Sequence, residues 1–402
     1  MRNLRAALVV LMLAPTAVFS QVKEKHNATY YFNLGEDALN RKEYITAQAH
    51  FTECLRLDPA FAEAYRLRAV TREKLNDNQR ALTDFNIYVE LKPDDTEALF
   101  NRAVLRFESG QYPTARLDFL NLLKMPHGET NTVYFAQEKF KDGDGKIFTH
   151  ASGGRDHIFN YLGLIERKNK RYDKALVWFD SALRLSPSNT SYLINRGIAY
   201  MEKKEMPLAK ADFEMVLKSE PENSLALHNL AVLKSFEGKD ETQKLLDSAI
   251  AKNKNLPYPR AERAFYRMQN NDLVGALEDY NELVRMEPTA SENYSARGLV
   301  KERLKDLVGA LQDYSKAITL DEGSQKAWLG RGNVMSKLGK WKDAADDYTV
   351  AIKLDPTYGL AFYNRAMAFS NNRKSDEACH DLKTAEKLGM KINPQIKAKI
   401  CR

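Results

Sequence analysis

The residues of this chain that could hold a metal or act as a general base are scattered. The seven histidines form no H-E-x-x-H motif and no i, i+4 pair, which is the spacing that a helical zinc site requires. No G-x-S-x-G nucleophile motif and no glycine-rich phosphate loop occur. The sequence therefore predicts that the protein is not an enzyme and needs no cofactor.

One segment contains a candidate ion site. Asp142 and Asp144, with one glycine between them, are similar to the start of a calcium loop, but a lysine follows where a third oxygen ligand is expected. A solvated tight turn is the simpler interpretation. His150, Asp156 and His157 stand close in sequence, so a metal-dependent activity in this segment is kept as an alternative.

Composition argues for a folded chain that does not bind nucleic acid. Hydrophobic residues make up 44% and charged residues 29% of the 402 positions, as in globular proteins. The net charge of +7 is spread along the sequence without the dense basic cluster of a nucleic-acid site.

A pattern of about 34 residues recurs along the chain, and Gln325–Tyr358 shows it most clearly. Two amphipathic helical patterns flank a turn at 338–340, and Pro356 closes the unit. Bulky and small residues such as Trp328 and Gly332 alternate where two antiparallel helices would touch. Ten copies fit this pattern, and they span residues 28–61, 62–95, 96–129, 156–189, 190–223, 224–256, 257–290, 291–324, 325–358 and 359–392.

This unit resembles the tetratricopeptide repeat, a helix–turn–helix with the pattern W-x2-L-G-x2-Y…A-x3-F…P. The resemblance implies an all-α solenoid, a right-handed superhelix of about ten such hairpins, because one hairpin cannot bury its apolar face alone. We assign residues 28–129 to repeats 1–3 and 156–392 to repeats 4–10. In the short repeat at 224–256 we expect the second helix to lack one residue. Residues 393–402 are predicted to form a C-terminal cap.

Two segments lie outside the repeats. Residues 130–155 lack helical periodicity and are predicted to form a non-helical insert, either a β-hairpin or an ordered loop. Residues 1–20 are predicted to be a signal peptide, because Arg2 and Arg5 precede an apolar run too short to cross a bilayer. An uncleaved membrane anchor is the alternative. Cleavage would place the protein in a periplasm or make it secreted, and the exported array resembles bacterial cell-envelope proteins. No transmembrane segment is expected after signal removal.

An arginine at position seven of a repeat is followed sixteen residues later by an aspartate. Seven repeats have both residues, and the other three have neither. The spacing places them on facing helices, so we predict a partly shielded ion pair in each hairpin; a row of ligand-binding arginines is the alternative. The pairs are Arg68–Asp84, Arg102–Asp118, Arg196–Asp212, Arg263–Asp279, Arg297–Asp313, Arg331–Asp347 and Arg365–Asp381.

The three cysteines form no C-x-x-C motif. Cys54 falls where the repeat has a small buried residue. Cys379 and Cys401 form either a disulfide between the last repeat and the tail or two separate buried thiols.

The family resemblance implies that first helices line a concave groove that binds peptides, with positions five, nine and twelve pointing into it. The alternative is that several of these residues pack between adjacent repeats. A clamp of lysine at position five with asparagine at position nine, which some family members use, is absent. The predicted groove residues, at or beside these positions, are Phe32, Arg66, Val70, Phe100, Asn101, Val104, Phe107, Asn160, Leu164, Ile194, Asn195, Ile198 and Met201.

The sequence therefore predicts a non-catalytic scaffold or adaptor whose partners are other proteins, either peptide segments or components of a cell-envelope complex. A cell-wall or glycan binder that uses groove aromatics is the alternative from another class.

Overall fold

We analysed a computed structural model, which describes residues 26–125, 154–235 and 239–401. Every regular element in these ranges is an α-helix. The helices are α1 Ala28–Asn40, α2 Tyr44–Leu57, α3 Ala62–Lys74, α4 Asn78–Leu91, α5 Thr96–Glu108, α6 Tyr112–Lys124, α7 Arg155–Lys168, α8 Tyr172–Leu185, α9 Thr190–Glu202, α10 Met206–Ser219, α11 Ser224–Lys234, α12 Lys239–Lys252, α13 Pro257–Gln269, α14 Leu273–Met286, α15 Ser291–Arg303, α16 Leu307–Leu320, α17 Gln325–Lys337, α18 Trp341–Leu354, α19 Gly359–Asn371, α20 Ser375–Lys387 and α21 Pro394–Ile400.

The chain consists of two compact units, residues 1–132 with α1–α6 and residues 133–402 with α7–α21. Within each unit, consecutive helices pair as hairpins, and each second helix also packs against the first helix of the next hairpin. Each unit is therefore an all-α solenoid, as the repeat pattern predicts. Among the described residues, no helix is long and apolar enough to cross a membrane.

The hairpins turn through a residue with left-handed backbone geometry. In α15–α16 this residue is Lys305, with φ of 65°, and the amide of Asp306 donates back to the carbonyl of Lys301 at 2.9 Å. This is the Schellman arrangement that ends a helix and reverses the chain. Nine hairpins share it, with φ between 59° and 75° at Lys42, Asn76, Gly110, Lys170, Lys204, Asn271, Lys305, Gly339 and Arg373.

Small residues in the first helices let aromatic rings of second helices approach closely. A Cβ atom added at Gly332 would lie 2.7 Å from the ring of Tyr348, which belongs to the same hairpin. One added at Gly330 would lie 2.3 Å from the ring of Tyr314, which belongs to the preceding hairpin. The glycines of α17 thus receive one ring from each side, and this contact fixes the distance between successive hairpins.

The repeat at 224–256 differs from its neighbours in its first helix. The prediction of a short second helix was wrong, because α12 has 14 residues, as α10 and α14 do. The first helix, α11, has 11 residues, whereas α9 and α13 have 13. Leu246 and Ala249 of α12 are both fully buried and belong to its packing face.

The ends of the predicted domains are only partly described. Helix α7 begins at Arg155, one residue before the predicted start of the fourth repeat, and a seven-residue helix, α21, occupies the predicted cap. The signal peptide, and the insert up to residue 153, lie outside the described residues.

Candidate functional site

Four of the predicted groove residues belong to the core: the apolar residues Phe100 and Ile194, and the polar residues Asn160 and Asn195. Phe100 is 2% exposed and packs against Phe119, with the ring centroids 5.8 Å apart. Ile194 is 6% exposed and lies in an apolar cluster with Val216. The assignment of these position-five side chains to a binding surface was wrong, because they fill the space between adjacent helices. A fifth predicted residue, Phe32, is partly buried against Phe61 at 4.7 Å.

The polar residues predicted to hold a peptide backbone mostly bond to their own neighbours. Asn195 and Asn160 are 9% and 4% exposed, and the Asn195 amide donates to Asn160 Oδ1 at 2.9 Å. This hydrogen bond joins α9 to α7, so both side chains hold the array together. Arg66 donates to Glu63 at 2.7 Å on the same helix. Asn101 remains partly exposed on α5.

The apolar residues at position nine stay partly exposed. In the first unit these are Val70 and Val104; Phe107, at position twelve, is also partly exposed. In the second unit Met201, at position twelve, is partly exposed too, and packs against Phe213. Position nine is apolar in the first five hairpins of this unit, and in the first four of them consecutive first helices touch directly. We call these four residues the position-nine stripe: Leu164, Ile198, Val232 and Phe265.

The stripe ends at two exposed aromatic residues on α13. Phe265 is 46% exposed, and Tyr258, seven residues earlier, is 53% exposed. Residues seven apart lie on the same face of a helix, two turns from each other. Large aromatic side chains of this kind contribute most of the binding energy in many protein interfaces. No pattern distinguishes these two residues in the sequence, because position nine is apolar in most repeats.

Charged residues at the ends of first helices pair with the neighbouring first helix. Arg167 on α7 lies 3.4 Å from Glu202 on α9, and Lys337 on α17 lies 2.8 Å from Glu302 on α15. Glu302 is 8% exposed and also accepts a hydrogen bond from Tyr314 at 3.1 Å. Burial and the nearby carboxylate raise the pKa of this tyrosine. These two ion pairs neutralise the charges at the ends of these four helices.

The seven arginine–aspartate pairs all form a two-pronged contact. Arginine Nε donates to aspartate Oδ2 at 2.7–3.0 Å, and Nη2 donates to Oδ1 at 2.5–2.8 Å. The aspartates are 1–6% exposed. Parallel hydrogen bonds of this kind are the strongest geometry for an ion pair. The guanidinium groups are thus engaged between the two helices of each hairpin.

In six of these arginines, the Nη1 atom also donates a hydrogen bond to a residue of the preceding hairpin. Arg102 Nη1 lies 3.4 Å from Asn86 Oδ1, and Arg196 Nη1 lies 2.8 Å from Asp180 Oδ1. In each case the acceptor stands sixteen residues before the arginine. Sequence reasoning missed this contact, although a polar residue at that position was the available signal. The contact occurs at Arg68, Arg102, Arg196, Arg263, Arg297 and Arg365.

Two of the three cysteines are bonded to each other. Cys379 on α20 and Cys401 after α21 form a disulfide, with their Cα atoms 4.9 Å apart. Cys54 is a free, fully buried thiol in the first unit. Burial raises the pKa of this thiol to about 11, so it stays protonated at neutral pH.

Within the described ranges no group of three potential ligands is placed to hold a metal. Asp156 is fully buried and accepts a hydrogen bond from the Ser186 hydroxyl at 2.7 Å. His157 Nδ1 lies 2.9 Å from the Tyr192 hydroxyl, so these two residues contribute to packing. Asp142, Asp144 and His150 lie outside the described residues.

Family models of the tetratricopeptide repeat match several parts of the chain. Models of the tetratricopeptide repeat match residues 325–358 and 348–380, and a third such model matches 32–96, 68–126 and 155–190.

Two proteins have sequences similar to part of this chain. Human protein O-mannosyl-transferase TMTC3 is 30% identical over 224 residues, which are 52% of this chain and 24% of that protein. The chloroplastic tetratricopeptide repeat domain-containing protein PYG7 of Arabidopsis thaliana is 38% identical over 69 residues, 17% of this chain and 23% of that protein. The chain thus spans about a quarter of the length of these relatives.

The chain is also similar to a solved structure. A tetratricopeptide repeat protein from Parabacteroides merdae superposes with a TM-score of 0.46 at 18% identity, over 68% of this chain and 98% of that chain. With the repeat spacing, the hairpin geometry and the family models in agreement, the chain is a tetratricopeptide-repeat protein.

Proposed function

We propose that this protein is a non-catalytic scaffold that binds a peptide segment of a partner protein on the position-nine stripe. The observation that carries the proposal is the pair of exposed aromatic residues, Tyr258 and Phe265, at one end of the stripe. Burying an aromatic side chain of this size contributes about 2 kcal/mol, so two of them give a partner a strong anchor point.

The apolar side chains of the stripe and their spacing determine which peptide segments it can bind. First helices pack about 8–10 Å apart, and a peptide in the polyproline II conformation advances about 3.1 Å per residue with three residues per turn. A peptide that crosses the first helices would therefore present an apolar side chain to the stripe at roughly every third residue. Because the adjacent charges are already paired, such as Arg167 with Glu202, we expect binding that depends weakly on salt.

We also propose that the protein works in an oxidising compartment, a periplasm or the extracellular space. The Cys379–Cys401 disulfide supports this proposal, because disulfides are rare in reducing cytosol. The proposed signal peptide at 1–20 would direct the chain there.

A glycan or cell-wall ligand is the second candidate. Exposed aromatic rings on one helix face, Tyr258 and Phe265, are the observation that favours it, since sugar rings stack on such side chains. Retention on purified peptidoglycan in the absence of other proteins would support this ligand, and its loss in Tyr258→Ala plus Phe265→Ala would locate it.

The test is a crosslinking pull-down from the native source, comparing two double variants. Tyr258→Asp plus Phe265→Asp places charge on the proposed surface of α13. The control, Val274→Asp plus Val308→Asp, places the same charge on α14 and α16, at residues 63% and 66% exposed. We expect the first variant to lose its partners and the second to keep them, with both remaining helical. Equal recovery by both variants would exclude the stripe as the binding surface.

A further inference from the structure

The last seven-residue helix occupies the position of another repeat's first helix. Counted from Asn393, Ile396 is at position four and Ile400 at position eight. Ile400 is 8% exposed and packs in a cluster with Ala366, Ala378 and Leu382 on the final hairpin. Helix α21 thus covers the apolar face on which a further repeat would stack.

The noncovalent anchors of this helix are few. Its main packing element is α20. Ile396 and Ile400 supply its apolar contacts with the final hairpin. Its ion pair, Lys397 with Glu386 at 2.6 Å, is exposed and contributes little. A helix of seven residues is also unstable alone in water. The remaining link is covalent, the bond between Cys379 and Cys401.

The positions of the three cysteines favour one disulfide within the chain. Cys379 and Cys401 are both partly exposed, so a small dithiol can reach their bond. The third cysteine, Cys54, is fully buried in the first unit and does not compete for either sulfur. Oxidation therefore joins one pair only.

We propose that the Cys379–Cys401 disulfide is a redox-operated lock that holds α21 over the apolar end of the array. A dithiol reductant opens it: the S–S bond breaks, the dithiol supplies two electrons and is itself oxidised to a disulfide, and its two protons remain on Cys379 and Cys401. Released, α21 uncovers the face around Ala366 and Leu382. The reduced form therefore exposes apolar surface that is prone to association.

The test is hydrogen exchange on the full-length protein with and without excess dithiothreitol. We expect exchange in residues 394–400 to speed up by roughly tenfold or more on reduction, whereas α17 and α18 stay unchanged. Cys379→Ser plus Cys401→Ser should give the fast exchange without reductant, which separates loss of the bond from other effects of the reagent. Equal protection of α21 in all three samples would overturn the proposal. So would parallel loss of protection in α19 and α20, since the bond would then hold the hairpin rather than the cap.

Discussion

The seven buried aspartates differ in how many cations they contact. Asp313 accepts a hydrogen bond from Arg297 at position seven, and its Oδ2 atom also lies 2.8 Å from Nζ of Lys301 at position eleven. Asp347 accepts a hydrogen bond from Arg331, but position eleven of that repeat is Met335. No second cation contacts Asp347 in the described part of the chain. Hydrogen bonding to Asp347 raises the pKa of Arg331, which fits a strong single pair.

We therefore expect the two pairs to respond differently to truncation. Arg331→Ala strands the Asp347 carboxylate and should cost about 3 kcal/mol, whereas Arg297→Ala leaves Lys301 in place and should cost about half as much. Thermal melting followed by circular dichroism measures both. The double variant Arg331→Leu plus Asp347→Leu should melt above Arg331→Ala, because it removes both charges. A double variant that melts lower would contradict the pairing account.

His228 should make stability depend on pH. Its Nδ1 atom is buried without a hydrogen-bond partner among the described residues, and burial lowers its pKa to about 4. The unfolded chain takes up this proton near pH 6.5, but the folded chain takes it up only near pH 4. Stability is therefore full above about pH 6.5, falls by up to roughly 3 kcal/mol between about pH 6.5 and about pH 4, and then levels off.

The substitution His228→Leu should remove this contribution. We expect its melting temperature to fall less than that of the wild type between about pH 7 and about pH 4.5. His380→Leu, at an exposed histidine of α20, is the matched control and should leave the wild-type pH profile unchanged. Parallel profiles for wild type and His228→Leu would show that His228 titrates normally.

At the scale of helices and turns, a residue other than glycine at the left-handed position of a hairpin turn stores strain. Lys305 has φ of 65°, where a side chain costs about 1 kcal/mol and glycine costs little. Lys305→Gly should therefore raise the melting temperature, and Gly339→Lys, at φ of 75°, should lower it. As a control, Lys316→Gly, at an exposed position inside α16, should destabilise by about 1 kcal/mol. Destabilisation by Lys305→Gly would contradict the strain assignment.

The hairpins were predictable from sequence because their packing repeats in register. Gly332 faces the ring of Tyr348 sixteen residues later, and the same spacing recurs in Gly298 with Tyr314 and in Gly197 with Phe213. The arginine–aspartate contact was equally predictable from sequence, since the two residues are present or absent together in each repeat. The contact with the preceding hairpin, from Arg196 to Asp180, was not predicted because it joins two repeats, so the pattern of a single repeat does not contain both residues.

The binding surface was harder to predict, for a physical reason. Positions five and nine lie one turn apart on the same face, so sequence spacing treats Ile194 and Ile198 alike. Their exposure depends on how closely the next helix approaches, which is a property of the packed array. Ile194 lies in the core, and Ile198 remains partly exposed.

For the whole molecule, the two compact units should fold separately. The first unit has three hairpins, each with a fully buried phenylalanine: Phe51, Phe85 and Phe119. About three repeats are the minimum for a stable array. A fragment of residues 26–125 should therefore be helical, with its own melting transition. A fragment of residues 26–92, with two hairpins, should melt at lower temperature, since α4 loses its packing against α5. Failure of the longer fragment to fold would contradict this division.

The central claim is that partners bind the first-helix face of the second unit. The most direct measurement places a photo-crosslinking phenylalanine analogue at Phe265 on α13 or at Val274 on α14. Both positions are exposed, and they lie on opposite helices of one hairpin. We predict that the probe at 265 captures peptides with apolar residues at about three-residue spacing, and that the probe at 274 captures none of them. Capture of the same peptides from 274, or from neither position, would contradict the account.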